Sequence, residues 1–237
     1  MITFIIKTFK RPDCVKALVD SIKKYYPNYE ILICNDDIEK LEIDGATVIN
    51  TDYDIGLSAG RNLLVDNVKT KYLVLLDDDF LFTDETKIEL LQEHLESNDL
   101  DMVGGSVRQL DGSLLKYDGI YHYENNRLVM GEGGGKYDFI LNFFIAKTDV
   151  LKKYRWDEEL KLAEHTAFFF QYRGKLKIGL RHDVVIKHMQ ARTPEYSKYR
   201  ERANYYIYQF MKKYKIDYIK NANNVEYFIN DYKKYEL

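Results

Sequence analysis

A run of five apolar residues, 72–76, ends directly at three consecutive carboxylates, Asp77, Asp78 and Asp79. A continuous apolar run of this length is typical of a strand that is buried on both faces of a parallel sheet. In open α/β sheets the carboxyl ends of such strands border the crevice in which ligands bind. Clustered carboxylates at that edge suit Mg²⁺ or Mn²⁺, ions that bridge protein acids to a diphosphate. An acid cluster facing solvent at a helix start is the alternative, but the apolar segments on both sides do not favour an exposed turn.

Strand and helix patterns alternate around this run. Apolar β-like runs occupy residues 2–7, 30–34 and 47–50, and amphipathic helical spacing follows Pro12 and Gly56. Thr86 and Glu89 have the form of a capping box at the start of a third helix. The alternation predicts an α/β fold with a Rossmann-like, mainly parallel sheet flanked by helices. After residue 100 the pattern changes to short strands, one of them predicted over residues 114–117.

The chain of 237 residues fits one α/β domain with a short appendage. We predict a main domain over residues 1–191 and a basic, tyrosine-rich helical extension over residues 192–237. The extension holds ten Lys or Arg, six Asp or Glu and ten Tyr, a net charge of +4. Apolar residues at helical spacing, such as Phe210 and Met211, favour packing on the domain as its main role. Contact with an anionic membrane surface, or with a polysaccharide through tyrosine faces, is the alternative.

Net charge, cysteine content and the first residues indicate which partners and which cellular compartment this chain favours. The formal net charge of −3 gives no general attraction to nucleic acid. Two cysteines, Cys14 and Cys34, form no disulfide framework and no metal-ligand spacing, which favours a reducing compartment. Residues 1–7 are too short for a signal peptide or a membrane span. We therefore expect a cytoplasmic protein whose extension can contact the inner face of the membrane.

Motifs spread over most of residues 1–190 occur in a recognisable order. They are the segments TFKRP at 8–12, NDD at 35–37, GLSAGRN at 56–62, LDDDF at 76–80, NFFIA at 142–146, and DVV at 183–185 followed by His188. In this order they resemble the β-1,4-N-acetylgalactosaminyltransferases of the ganglioside-synthase type and the bacterial family-2 glycosyltransferases of the GT-A fold. The resemblance implies a GT-A fold and a UDP-sugar donor.

The resemblance also implies roles for particular residues. Asp36 and Asp37 would lie at the nucleotide-base end of the donor site, and Arg61 would approach the diphosphate, for which a planar guanidinium is well suited. Asp79 and His188 would be the ligands of Mn²⁺ or Mg²⁺. Without the resemblance, His188 reads as a structural histidine at a strand end. The full set of implied donor-binding residues is Thr8, Arg11, Asp36, Asp37, Arg61, Asp77, Asp78 and Asn142.

The catalytic base is less clearly indicated. Related enzymes place an acidic cluster before a Phe-Phe pair, and here Glu164 and His165 match that cluster. Relatives often carry acids at the places of Thr166 and Ala167, and alanine cannot accept a proton. Three explanations stay open at this point: Glu164 is the base with His165 beside it, Ala167 replaces a removed acid, or the base lies elsewhere. For the last case the candidates are Asp138 and Asp157.

The leading hypothesis is an inverting, metal-dependent glycosyltransferase. It would transfer a sugar, N-acetylgalactosamine or another hexose or N-acetylhexosamine, from a UDP-sugar to a glycan or a capsule-type polysaccharide. A degenerate relative that binds donor or glycan without transfer is the alternative suggested by Ala167. A nucleotidyltransferase is a weaker alternative, because such enzymes open with a glycine-rich, basic nucleotide loop and residues 8–12 do not form one.

Overall fold

The computed structural model describes residues 1–190 and 193–235. The helices are α1 (Pro12–Tyr25), α2 (Leu57–Asn67), α3 (Ile88–Ser97), α4 (Thr148–Lys153), α5 (Glu164–Tyr172), α6 (Pro194–Arg200) and α7 (Ala203–Lys213), with a 3₁₀ helix at Ile229–Tyr235. The strands are β1 (Ile2–Thr8), β2 (Glu30–Asn35), β3 (Thr47–Asn50), β4 (Tyr72–Asp77), β5 (Phe80–Leu81), β6 (Met102–Arg108), β7 (Ile120–Glu124), β8 (Arg127–Gly131), β9 (Phe144–Lys147), β10 (Ile178–His188), β11 (Tyr218–Lys220) and β12 (Glu226–Phe228).

A large sheet has the strand order β3-β2-β1-β4-β9-β6-β10-β5. The first four strands are mutually parallel, and Lys7 lies opposite Asp77 across the β1–β4 pair. Strand β9 is antiparallel to both of its neighbours, so β6 again runs in the direction of β4. The carboxyl ends of β1, β2 and β4 therefore meet at one edge of the sheet. This arrangement confirms the predicted mainly parallel α/β sheet.

Both faces of the large sheet are buried, which explains why β1 and β4 are mainly apolar, with Ile2 to Ile6 of β1 and residues 72–76 of β4 almost entirely hydrophobic. Alternate residues of β1 belong to different apolar clusters. Phe4 belongs to the cluster that includes residues of α1 and α3, and Ile5 belongs to the larger cluster, which includes residues of α2, α5 and α7. The apolar spacing of α1 follows from this packing, since its inward residues are fully buried. The sheet is thus covered on both faces, and the candidate site lies at its carboxyl edge.

A second sheet, in the order β12-β11-β8-β7, joins the C-terminal segment to the main domain. Strand β11 pairs in parallel with β8, and Phe210 and Met211 of α7 are buried in the larger cluster. Packing was the main role predicted for the extension, but two strands accompany its helices. The predicted boundary between residues 191 and 192 lies outside the described residues. No helix in the described ranges is long and apolar enough to cross a membrane.

Two local predictions were wrong. Helix α3 begins at Ile88, and its preceding residue Lys87 makes no side-chain cap. The Thr86 hydroxyl instead donates to the carbonyl oxygen of Val185 at 2.7 Å, so a distant strand takes the hydroxyl that the capping box would have used. The predicted strand at 114–117 is a loop with one isolated bridge, from Leu114 to the end of β6.

Candidate active site

The three acids that follow the apolar run of β4 each have a different environment. Asp78 and Asp79 are nearly fully buried, whereas the Asp77 side chain is 37% exposed. Arg11 contacts Asp78 and Asp79 from one side, and Arg61 contacts Asp77 from the other. The triplet thus divides the site into an Arg11 half and an Arg61 half.

The Arg11 half is built from the turn between β1 and α1. The Thr8 hydroxyl donates to Asp78 at 2.7 Å, and the Arg11 guanidinium donates to Asp79 at 2.7 Å and also to Asp78. Pro12 begins α1 directly after Arg11, a position where the missing N–H of proline costs no helix hydrogen bond. Burial raises the pKa of Asp78 to about 6 although Arg11 opposes the shift. The ring of Tyr196 in α6 covers the guanidinium at 3.9 Å.

Asp79 and His188 are the pair expected to hold a metal ion. Strand β10 brings His188 Nε2 within 3.3 Å of Asp79 Oδ2. Burial disfavours the charged form of Asp79, but hydrogen bonds from His188 and Arg11 outweigh it and lower the pKa of that carboxyl. Within residues 1–190 and 193–235 no group of three or more His, Cys, Asp or Glu side chains could hold a metal. One carboxylate and one imidazole still fit Mg²⁺ or Mn²⁺ when substrate phosphates supply further oxygens.

The Arg61 half is a chain of hydrogen-bonded side chains from α2, β4, α5 and the segment before β9. Arg61 is 3% exposed and donates to Glu164 at 2.6 Å and to Asp77 at 3.3 Å. Asn142 donates to Asp77 at 3.3 Å, and its amide oxygen lies 2.5 Å from His165 Nδ1. Burial lowers the pKa of His165 to about 4, so the ring is neutral at physiological pH. Arg61, which the resemblance would bring near the donor diphosphate or its metal, is buried here and contacts two carboxylates.

The open question of the base can be examined at each candidate. Glu164 is the first residue of α5 and is 5% exposed; Ala163 before it has a left-handed backbone with φ of 61°, which turns the chain into the site. Ala167 is fully buried in the larger apolar cluster and carries no group that could accept a proton. Asp138 accepts the backbone N–H of Tyr121 at the second sheet, and Asp157 pairs with Lys213 of α7. Of these positions, only Glu164 joins the network around Asp77.

The nucleotide-base end predicted from the sequence lies at the end of β2. Asp36 is 1% exposed, forms an ion pair with Lys7 and accepts the N–H of Gly56 at 3.0 Å. Asp37 lies nearer the surface, 3.2 Å from the ammonium of Lys10. Both oxygens of Asp36 are therefore engaged by protein groups, and this acid fixes the turn before α2.

Sequence reasoning missed several residues that shape the site. Lys7 gave a signal, because it is the charged residue of β1, a strand that is buried along its whole length, and therefore needs a buried partner. Tyr196 and Tyr117 gave none: each is one tyrosine among many, yet Tyr196 stacks on Arg11 and Tyr117 lies 5.3 Å from the His165 ring. Such contacts join segments far apart in sequence and carry no local pattern.

Comparison with known proteins gives this geometry a family context. Residues 3–159 match the sequence profile described as Glycosyl transferase family 2. The chain is 36% identical to Beta-1,4 N-acetylgalactosaminyltransferase 2 of Mus musculus over 93% of this chain and 47% of that protein. It is 34% identical to Beta-1,4 N-acetylgalactosaminyltransferase 1 of Homo sapiens over 79% of this chain and 39% of that protein. The chain thus spans less than half the length of these curated relatives.

Solved structures share the fold. The crystal structure of S. aureus TarS 1–349 superposes with a TM-score of 0.63 at 14% identity, covering 90% of this chain and 63% of that one. A complex of the same protein with UDP-GlcNAc gives a TM-score of 0.64 at 14% identity, covering 88% of this chain and 65% of that one. The α/β architecture of this chain is accordingly the GT-A fold expected from the sequence.

Proposed function

Since the chain belongs to glycosyl transferase family 2, we propose that it is an inverting, metal-dependent glycosyltransferase using a UDP-sugar. The sugar is N-acetylgalactosamine or another hexose or N-acetylhexosamine, and the acceptor is a glycan or polysaccharide. The names of the relatives and the UDP-GlcNAc complex of TarS support the donor class. The observation that carries the proposal is the acid triplet. Its last acid, Asp79, contacts His188, and its first acid, Asp77, is connected to Glu164 through Arg61.

The charges of the site support a divalent cation. Among the described ion pairs, Asp77, Asp78, Asp79 and Glu164 contact two guanidinium groups, those of Arg11 and Arg61. A diphosphate would add more negative charge to an already acidic and largely buried place, which is unfavourable without a cation. Asp79 and His188 are the residues that would hold Mn²⁺ or Mg²⁺ there. Such an ion, when bound, supplies electrostatic stabilisation of the departing diphosphate.

The chemical step then needs a proton acceptor on the far side of the sugar. In the proposed reaction, a Glu164 oxygen takes the proton of the acceptor hydroxyl as that oxygen bonds to the anomeric carbon. The bond from the anomeric carbon to the diphosphate breaks at the same time, and UDP leaves with the electron pair. Arg61 fixes the orientation of Glu164, and the neutral His165 holds Asn142 against Asp77.

The test is UDP release from a panel of UDP-sugars, with and without Mn²⁺ and with a set of glycan acceptors. Glu164→Gln should retain UDP binding and lose about 10²–10⁴-fold in turnover, the usual contribution of a general base. Glu159→Gln is the matched control, because Glu159 is 80% exposed and pairs with Lys213 outside the site. Near-normal turnover by Glu164→Gln would remove Glu164 as the base.

A binding module without transfer is the second candidate. Two observations favour it: Glu164 is held in a buried ion pair, and the next acid expected in relatives is replaced by the buried Ala167. Tight UDP binding with no UDP release from any donor would select this function. Contact of the C-terminal extension with an anionic membrane remains a separate prediction.

A further inference from the structure

A cavity of about 500 Å³ is formed by strands other than those that carry the acid triplet and the nucleotide-end acids. Its walls come from β6, β8 and β10, from the glycine-rich segment 131–135, and from Ala222 and Asn224 of the C-terminal segment. The proposed donor residues of β1, β2 and β4 lie on the other side of β9 in the sheet order. A volume of this size is typical of a pocket that encloses a small organic ligand.

Two walls of the cavity continue directly into the Arg61 half of the site. Leu141 lines the cavity and precedes Asn142, whose amide donates to Asp77 at 3.3 Å. Asp118 lines it and follows Tyr117, whose hydroxyl lies 2.9 Å from that of Thr166 in α5. The backbone at 117–118 and at 141–142 is therefore shared by the cavity wall and by side chains that contact Asp77 and α5.

The lining chemistry suits a neutral, polyhydroxylated ligand. The described lining contains one lysine, Lys116, no arginine, and two carboxylates, Asp118 and Glu132, so with a neutral His182 an anion would meet a net negative wall. Carboxylates accept hydrogen bonds from hydroxyl groups, and the ring of Tyr137 offers an apolar surface beside them. A sugar presents these two kinds of surface, hydroxyl groups at its rim and C–H groups on its faces.

The glycines keep one wall free of side chains. Gly134 and Gly135 have φ values of +55° and +93°, and nothing lies within 4 Å of the place where a Cβ would stand. Most L-residues avoid these conformations, so glycine is the favoured residue there. The bare backbone leaves N–H and C=O groups accessible to a ligand.

We propose that this cavity binds the acceptor as a neutral saccharide and presents its hydroxyl group towards Glu164. The proposal rests on the glycosyltransferase function proposed above. It makes Asp118 and Tyr137 specificity-determining residues for the acceptor, and it gives the C-terminal segment a part in that site through Asn224.

The test is binding of the protein, with UDP and Mn²⁺ present, to a glycan array that carries neutral and carboxylated oligosaccharides. We expect neutral oligosaccharides to bind, and Asp118→Asn and Tyr137→Ala each to weaken them roughly tenfold, the effect of one charge-assisted hydrogen bond or one ring contact. Leu114→Ala and Leu110→Ala form a matched pair of variants. Both should fold normally, since each leucine side chain is about half exposed. Only Leu114 lines the cavity, so only its variant should lose affinity.

UDP affinity, measured separately for each variant, distinguishes the two proposals. Failure of the wild-type protein to bind UDP would count against the glycosyltransferase function itself. UDP binding without neutral-saccharide binding would overturn the acceptor cavity alone. So would a preference for carboxylated glycans, or neutral binding that Asp118→Asn, Tyr137→Ala and Leu114→Ala leave unchanged.

Discussion

Replacing Arg61 by methionine removes the only cation that contacts Glu164 among the described ion pairs. The two side chains are 3% and 6% exposed and 2.6 Å apart, so Arg61→Met leaves a buried carboxylate uncompensated. Breaking a buried pair in this way costs about 3–5 kcal/mol in free energy of unfolding. Glu164→Gln should cost less, about 1–2 kcal/mol, because Arg61 keeps Asp77 as a partner.

The double variant separates the pair from its surroundings. With both charges gone, we expect the loss of stability to be about 2–3 kcal/mol smaller than the sum of the two single losses. Urea denaturation near pH 7 measures all four proteins, and Arg61→Met should lower the midpoint by roughly 1–2 M. The exposed pair of Arg155 and Asp66 is the control, with a coupling below about 1 kcal/mol. If the losses in free energy of unfolding of Arg61→Met and Glu164→Gln simply add in the double variant, the two side chains do not stabilise each other and the reasoning is refuted.

Three further predictions follow from the packing and charges of the site. Gly56→Ala should lower the free energy of unfolding, measured by thermal denaturation, by about 2 kcal/mol or more, because φ is +93° and a Cβ would lie 2.6 Å from Lys161 atoms. Gly134→Ala also has a positive φ but open space at its Cβ, so it should cost about half as much in that assay. His165 has a folded pKa of about 4 against about 6.5 when unfolded. The unfolded state therefore binds the proton first, and stability should fall as pH decreases from about 6.5 towards 4; a His165→Asn variant with an equally steep fall in urea titrations would contradict this. Lys7→Met should weaken UDP binding and lower stability, since it leaves Asp36 buried without its cation; unchanged UDP affinity in calorimetry would argue against Asp36 at the nucleotide end.

The parts of the fold that repeat a periodic pattern could be predicted from the sequence. The run at 72–76 predicted β4 because strands that are covered on both faces are usually near-continuous apolar runs. Its acids were expected at the carboxyl edge, and topology alone placed them there. Helix α2 begins directly after Gly56, as the spacing indicated.

Contacts between distant segments could not be predicted in the same way. Arg61 and Glu164 are 103 residues apart, and nothing in either helix indicates that the two side chains form an ion pair. The spacing of Thr86 and Glu89 indicated a helix cap. The hydrogen bond that Thr86 makes instead, to Val185 of β10, depends on tertiary structure and leaves no local pattern. The loop at 114–117 has strand-like residues, but only one isolated bridge connects it to β6. Tertiary packing decides such cases, and local propensity does not.

The central claim is that the acid triplet and His188 form the donor and metal half of a glycosyltransferase site. The most direct measurement is calorimetric titration of UDP into the protein with Mn²⁺ and with a chelator. We predict that the wild type binds UDP much more tightly with Mn²⁺ and that Asp79→Asn loses this difference. Asp84→Asn, which changes an exposed acid five residues further on, should behave as wild type. Equal UDP affinity with and without the metal in the wild-type protein would contradict the account.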